Sequence, residues 1–430
     1  MARLLRADPG GEYYFSLSMA AAVTAGLWNE AGSGWLLANN AAAGRQAASD
    51  GNVYALNNNG SSGELGWYVN SFGHLIAGFA VYTSSSGWAT DQRVIAFTNG
   101  TASSTAQQCD VRIADTSGHL KVTNNGTQRG STSTQTLTPG WHYIELDVTF
   151  ATGATGTADV WVDGVRWINA TSVITATTVA TANRVYFRQL VPNVTSYFKD
   201  MYLIDGSISP NTPLGDVTVA PFYSTGAGVN SQFAANVGPF TLTSVNTTGV
   251  YQGTITGGAS NAYVGFNFTI TGFVNGANNV VNAKCTASTA TSLTFGALTT
   301  VTETHAGSAA LVCAVQDGIN HNGTRPDGDA TYVASATAND ISDFAHEALT
   351  LTGTIYGVIH VSYVRKDDAG ARSFRQVLLS GGTTETNGAD IAATSSWFYY
   401  MDAMDVNPNT GTAFTPTTFN ATTIGVKEIT

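Results

Sequence analysis

Hydrophobic and polar positions alternate with a period of two along much of this 430-residue chain, most clearly from Trp141 to Trp167. In the first half of that stretch Ile144, Leu146, Val148 and Phe150 alternate with Tyr143, Glu145, Asp147 and Thr149, the pattern of a strand with one buried and one wetter face. In the second half Val160 and Val162 alternate with Asp159, Trp161 and Asp163. Asp163-Gly164 then stands where a tight hairpin turn needs positive φ. The stretch predicts antiparallel strands of a sandwich.

The same reading extends outward. Trp67-Tyr68-Val69, His74 to Tyr82, Val94 to Phe97, Cys109 to Ile113, His119 to Val122, Arg184 to Leu190 and Tyr197 to Ile204 are further strands, separated by Gly, Asn, Ser and Thr clusters. Ser207 to Pro213, with two prolines, reads as a connector. Beyond it, Thr354 to Arg365 and Arg372 to Leu379 flank Asp367-Asp368-Ala369-Gly370 and predict a hairpin, with one more strand at Trp397 to Met401.

Composition supports strands over helices. Only 11% of residues are charged, 43% are hydrophobic and 46 are Gly, which disfavours long amphipathic helices and suits short strands joined by tight turns. The expectation is an all-β chain, long enough for two or three domains. The net charge of -11 and the scattering of Lys and Arg singly along the chain argue against a nucleic-acid surface. No apolar run approaches the roughly 18 residues of a membrane span, so no membrane insertion is expected. Asp8, Pro9 and Glu12 interrupt the N-terminal region where a signal peptide would be apolar, so synthesis and folding in a cytoplasm are the expectation. Cys109, Cys285 and Cys313 are too few for a disulfide scaffold, and Cys285 and Cys313 are read as buried free thiols.

Three segments carry a family likeness: Gly140-Trp141-His142-Tyr143-Ile144-Glu145-Leu146, the Val-Trp-Val-Asp-Gly of 160 to 164, and Phe198-Lys199-Asp200-Met201-Tyr202-Leu203-Ile204-Asp205. Together they resemble the laminin G-like, or concanavalin A-like, jelly-roll domains near the start of many tailed-bacteriophage structural proteins. Leu214-Gly215-Asp216-Val217, Ser224 to Gly228 and Ser231-Gln232-Phe233 resemble the start of the second domain in those proteins. Its Pro-Asp-Gly-Asp-x-x-Tyr-Val run arrives here only at Pro326 to Val333, so the residues between read as an insertion. The expected organisation is a concanavalin-like jelly-roll sandwich over 1–212 and a second β-sandwich over 213–239 and 314–430. A small immunoglobulin-like β-domain is inserted at 240–313.

Some concanavalin-like sandwiches are retaining glycosidases with Glu-x-Asp-x-x-Glu on one strand, whose two catalytic carboxyls lie roughly 5 Å apart. Glu145-Leu146-Asp147 begins that pattern, but Phe150 occupies the place of the second carboxylate. No catalytic residue is therefore assigned, and Glu145 and Asp147 are read as a solvent face. Asp110, Asp115, Asp159, Asp163 and Asp327-Gly328-Asp329 fit no spaced calcium loop, the seven His form no zinc spacing, and nucleotide and hydrolase fingerprints are absent. No metal or cofactor is expected. Aromatic faces can stack on sugar rings. Trp161 alternates into one face with Asp159 and Asp163, so these three are the candidate glycan-contact residues.

The likeness implies a non-enzymatic virion structural protein, made in the host cytoplasm and exposed on the particle, at a tail tip, fibre or other appendage. Its expected partners are other virion proteins, copies of itself in a symmetric homo-oligomer, and host surface polysaccharide; nucleic acid is not among them. The alternatives are a capsid (head) decoration protein and a carbohydrate-binding or carbohydrate-active module.

Overall fold

Along Gly156–Val162 buried and half-buried residues alternate without a break, as a strand with one face in a core requires. The structure is a computed structural model that describes residues 4–8, 30–31, 35–39, 52–56, 64–100, 107–311 and 332–430, apart from a few positions within the last two stretches. The fold is all-β and built from antiparallel sheets.

The first unit comprises β1 (Leu4–Asp8), β2 (Glu30–Ala31), β3 (Trp35–Asn39), β4 (Asn52–Leu56), β5 (Leu65–Phe72), β6 (His74–Thr83), β7 (Arg93–Thr98) and β8 (Gln107–Ile113). It continues with β9 (Leu120–Asn124), β10 (Thr127–Arg129), β11 (Gly140–Thr149), β12 (Gly156–Val162), β13 (Val165–Val173), β14 (Ala182–Phe187) and β15 (Ser196–Asp205). Eight strands form one sheet, in the order β13-β12-β11-β6-β15-β4-β3 with β1 also on β15. Seven form the facing sheet, β10-β9-β8-β7-β14-β5-β2.

Between the sheets lies the main core, where Trp67 meets Phe187 edge-on at 5.7 Å and Phe150 meets Phe97 at 5.6 Å. Each large apolar side chain fully buried there contributes roughly 1.5–3 kcal/mol. Asp163 (φ 51°) and Gly164 (φ 75°) are both left-handed and turn β12 into β13, as the Asp-Gly pair predicts. In β15 the register slips between Lys199 and Tyr202, with Asp200 at φ 51°, so the family-like segment carries a β-bulge.

The second unit begins with β16 (Ser224–Ser231) and β17 (Ala234–Ala235). Next come β18 (Phe240–Val245), β19 (Val250–Thr254), β20 (Asn267–Thr271), β21 (Ala283–Thr289), β22 (Ser292–Phe295) and β23 (Glu303–Leu311). These six close into a barrel, β18-β19-β22-β21-β20-β23, around Leu242, Tyr251, Phe268 and Phe295. Closure leaves no free sheet edge.

After the barrel come β24 (Val333–Ala334), β25 (Ile341–His346), β26 (Val358–Val364), β27 (Ser373–Ser380), β28 (Thr384–Glu385), β29 (Ile391–Ala392), β30 (Phe398–Met404), helix α1 (Pro416–Asn420) and β31 (Thr422–Glu428). A six-stranded sheet runs β16-β25-β31-β27-β28 with β29 on β27, while β26 and β30 form a separate two-stranded layer. The one-turn helix has Thr415 and Thr418 in a capping box and Pro416 at its start, a signal too short to raise a helical period.

The expected hairpin around Asp367-Asp368-Ala369-Gly370 is corrected here. The turn joins β26 to β27, but these strands do not pair; β26 takes β30 and β27 takes β31. The chain arches between two layers because both strands bury side chains on facing surfaces, and Gln376 of β27 donates to the carbonyls of His360 and Tyr400 across the gap. Among the described residues no helix is long and apolar enough to cross a membrane. Cys109 and Cys285 are buried free thiols, and Cys313 lies outside the described residues.

Candidate functional site

The two sheets of the first unit differ in what covers their outer faces. On the eight-stranded sheet Glu145 is fully buried, contrary to the solvent face expected for it. Its Oε1 accepts from the Tyr202 hydroxyl and from Gly215 N–H at 2.9 Å, and Tyr202 in turn accepts from Leu214 N–H at 3.1 Å. Asp200 takes Val219 N–H at 2.9 Å, so the connector is laced onto the sheet. Ile359 and Ala403 of the β26–β30 layer pack onto the same face. Burial raises the Glu145 pKa, against the hydrogen bonds that favour its anion. A carboxylate sealed in this way cannot reach a substrate.

The three residues singled out from sequence lie at the rim of that sheet. Asp159 is bridged by Arg166 at 3.3 Å. Trp161 is half-buried with the Arg166 guanidinium 5.7 Å from its ring centre. Asp163 closes the turn, accepting from Tyr143 N–H at 2.8 Å and facing His142 Nδ1 at 2.7 Å. Asp147 lies 2.6 Å from His74 Nε2, and Phe150 is in the core.

Thr138, His142 and Asp163 mimic a nucleophile, base and acid. His142 Nε2, however, lies 2.9 Å from the Thr138 carbonyl and 3.3 Å from its hydroxyl. Burial works against a charged ring there, but the Asp163 carboxylate and the Thr138 carbonyl outweigh it and raise the His142 pKa. When protonated, the ring can donate from both nitrogens as a charged clip, which leaves no lone pair for a base.

The outer face of the seven-stranded sheet is different. Cys109, Val111, Val122, Val185 and Phe187 point into the core. Alternation therefore turns Asp110, Arg112, Thr123, Arg184 and Tyr186 outward. Pairing sets them side by side: Thr123 opposes Asp110, Asp110 opposes Ala96, and Tyr186 opposes both Ala96 and Gly66. Lys121, Arg112 and Arg93 form the neighbouring row. The small Ala96 and Gly66 leave room for the Tyr186 ring; a Cβ on Gly66 would sit 3.4 Å from Tyr186 Cβ.

Two carboxylates organise this face. Asp110 accepts from Arg93 Nε at 2.7 Å, from Arg112 Nη2 at 2.9 Å and from the Thr123 hydroxyl. Glu64 accepts from Arg184 Nη2 at 2.8 Å and from Arg188. The guanidinium carbons of Arg184, Arg93 and Arg188 lie 4.5, 5.6 and 5.8 Å from the Tyr186 ring centre. Burial pushes the Tyr186 phenol up to about 12, so it stays protonated at neutral pH. Its hydroxyl is buried with no hydrogen-bond partner among the described residues, and neither has Arg188 Nε. Arg93, Arg112, Lys121 and Arg188 remain part-exposed.

Lys121 also bridges Asp91 at 2.5 Å. Five of the chain's 18 Lys and Arg thus meet three carboxylates on one face of a molecule whose net charge is -11. The basic residues scattered along the sequence are gathered by the fold, which corrects the picture of isolated cations. Sequence could have shown each polar alternation, but not that β9, β8, β7, β14 and β5 are neighbours.

Among the described residues no three His, Cys, Asp or Glu converge as metal ligands. Asp110 is held by arginines, Asp115 by Ser117 N–H and His119, and Asp327 and Asp329 lie outside the described residues. A cavity of about 620 Å³ lies between the connector and the second unit, lined mostly by apolar groups such as Leu214, Val217, Ile355 and Phe419. His360, which borders it, is buried and its pKa falls to about 4, so it adds no charge.

No protein-family model and no curated protein matches the chain. Solved structures that resemble it include an endo-β-1,4-glucuronan lyase from the fungus Trichoderma reesei, at 13% identity over 47% of this chain and 95% of that one, with a TM-score of 0.34. They include an alginate lyase from Aplysia kurodai, at 13% identity over 47% and 100%, with a TM-score of 0.36. A carbohydrate esterase from the Shiga toxin-encoding bacteriophage phi24B matches at 12% identity over 47% and 98%, with a TM-score of 0.31. At these values the likeness is one of β-sandwich fold. It corrects the expectation of a chain without enzymatic activity, since these neighbours are enzymes: Phe150 removes the glycosidase pair alone, and a sandwich can place other chemistry on a different face.

Proposed function

We propose that this chain is a carbohydrate-active module that takes a polysaccharide across the outer face of the seven-stranded sheet. The observation that carries this reading is the Tyr186 hydroxyl, buried among three arginines with no hydrogen-bond partner among the described residues, on a face whose rim stays part-exposed. Buried polar groups are nearly always hydrogen-bonded, so an orphaned phenol in a polar row marks a place where a ligand hydroxyl or carboxyl completes the set. The opposite outer face is covered by the connector and the β26–β30 layer.

Affinity electrophoresis against neutral and acidic polysaccharides tests this, with release of reducing ends, unsaturated ends or acyl groups followed in parallel. Tyr186→Phe should weaken binding or turnover roughly fivefold or more, and Trp161→Ala should leave both unchanged. Loss in Trp161→Ala with none in Tyr186→Phe would move the site to the rim of the eight-stranded sheet. Absence of any retardation and any product would end the reading.

The likeness of 140–146, 160–164 and 198–205 to tailed-phage structural proteins supports a virion setting, in which host surface polysaccharide is the polymer met. Antibody labelling of intact particles checks this: unlabelled virions would remove it.

A further inference from the structure

We infer that the cavity between the β26–β30 layer and the six-stranded sheet is a binding site for an uncharged small molecule of one or two rings that carries a hydroxyl or amide group. This site stands apart from the polysaccharide face, on another unit of the chain.

The cavity has a volume of about 290 Å³. Benzene fills an apolar cavity of about 150 Å³, so this one has room for two fused rings. Phe344 of β25, Phe374 of β27 and Ile424 and Val426 of β31 line it from the six-stranded sheet, and β26 lines it from the other layer. Its lining runs from buried His360 out to exposed Asp367, which gives a small molecule a way in.

Three polar side chains on this lining carry atoms that are buried with no hydrogen-bond partner among the described residues: Ser224 Oγ, Ser362 Oγ and His360 Nδ1. They come from β16 and β26, strands of different sheets, so the tertiary fold rather than a local turn brings them to one cavity. Buried polar groups in native proteins are nearly always paired, and three left over in one place point to a ligand that pairs with them. His360 is only 4% exposed, and burial lowers its pKa to about 4. Its ring is therefore neutral at pH 7, with one nitrogen donating and the other accepting. A ligand hydroxyl or amide can serve either kind of partner.

The same groups decide against an ion, because hydroxyls and a neutral imidazole do not balance a charge brought in among apolar walls. The charged side chains that border the cavity are already engaged. Arg372 meets Asp368 at 2.9 Å and Glu428 at 3.9 Å, Lys366 donates to the Gly370 carbonyl, and the Arg365 guanidinium lies 5.3 Å from the Trp397 ring centre. Water alone serves such walls poorly, since each buried water makes about three hydrogen bonds and the phenyl rings and aliphatic groups offer none.

The experiment uses 2-naphthol, naphthalene, 2-naphthoate and 2-naphthylmethylamine, which share one ring system and differ in a single substituent. Each is titrated into the full chain and followed by its fluorescence. 2-Naphthol should bind saturably, naphthalene roughly fivefold more weakly and the two charged analogues at least tenfold more weakly. Ser362→Ala or Ser224→Ala should weaken 2-naphthol roughly threefold or more while leaving naphthalene unchanged. Ser362→Leu, which fills the cavity, should abolish binding of both. Melting curves verify the fold, and where Ser362→Leu does not fold, the contrast between 2-naphthol and naphthalene in Ser362→Ala and Ser224→Ala still locates the site.

Naphthalene bound as tightly as 2-naphthol, or both alanine variants binding 2-naphthol as the wild type does, would overturn the part given to the polar groups. Tighter binding of either charged analogue would overturn the assignment to an uncharged molecule. Binding that a folded Ser362→Leu variant leaves intact, or no saturable binding of any of the four, would remove the cavity as a site.

Discussion

At the scale of single residues, close approach and charge decide most of what this sandwich tolerates. Gly78 on β6 lies under the Tyr202 ring: a Cβ there would sit 2.3 Å from a ring carbon and 3.1 Å from Glu145 Cγ. Gly78→Ala must therefore displace Tyr202 and loosen the connector that Glu145 and Tyr202 hold, costing about 1–3 kcal/mol; urea unfolding measures it, and an unchanged midpoint would show that the ring moves freely. His142 gives a pH-dependent counterpart. Its folded pKa is raised above the unfolded value, so its clip between Asp163 and Thr138 contributes fully below the unfolded pKa near 6.5 and is lost as pH rises through the folded pKa. Because Asp163 is half-exposed, the contribution is about 0.5–1 kcal/mol. Melting curves of wild type and His142→Ala should differ most at mildly acidic pH and converge at alkaline pH; a gap that widened with pH would contradict the charged clip.

Elements were legible in the sequence where one face is buried and the other wet. The alternation at Ile144 to Phe150 and at Val160 and Val162 reports β11 and β12 because their inner faces meet one continuous core. Partnership between strands was not legible, because pairing is set by distant parts of the chain. Arg93, Asp110, Lys121 and Tyr186 are ordinary outward residues until β9, β8, β7 and β14 are laid side by side, and Glu145 looks solvent-facing until the connector is placed over it. The same limit explains the arch between β26 and β27: the turn chemistry of Asp367 to Gly370 is sound, but a turn does not dictate that its flanks pair. Gln376 holds this arch by donating at 3.1 Å to both His360 and Tyr400 carbonyls. Gln376→Leu would leave those carbonyls without these donors and cost about 1–3 kcal/mol. Hydrogen exchange should speed up across Val358–Val364 and Phe398–Met404 but not across Gly140–Thr149; uniform acceleration would mean the layers are not separable.

For the whole molecule, the barrel raises the question of why a chain would interrupt one β-unit with another. Its first and last strands pair with each other, Phe240 opposite Ala309, so the chain enters and leaves at neighbouring positions, within roughly 5 Å for paired residues. Insertions are tolerated where the two ends meet in this way, because the host sees little more than a short loop. The barrel core is drawn from residues between 240 and 311 and includes Leu242, Tyr251, Phe268, Leu293 and Phe295. A unit of this size buries a smaller fraction of its surface than the large sandwich does, so it should melt first. We predict two calorimetric transitions for the full chain, and loss of the lower one when residues 240–309 are replaced by two glycines. Because the cationic face lies on the first unit, the shortened chain should retain polysaccharide binding within about twofold, well under one tenfold step in affinity. A single cooperative transition in the full chain, or loss of binding with the barrel, would show instead that the barrel and the sandwich depend on each other.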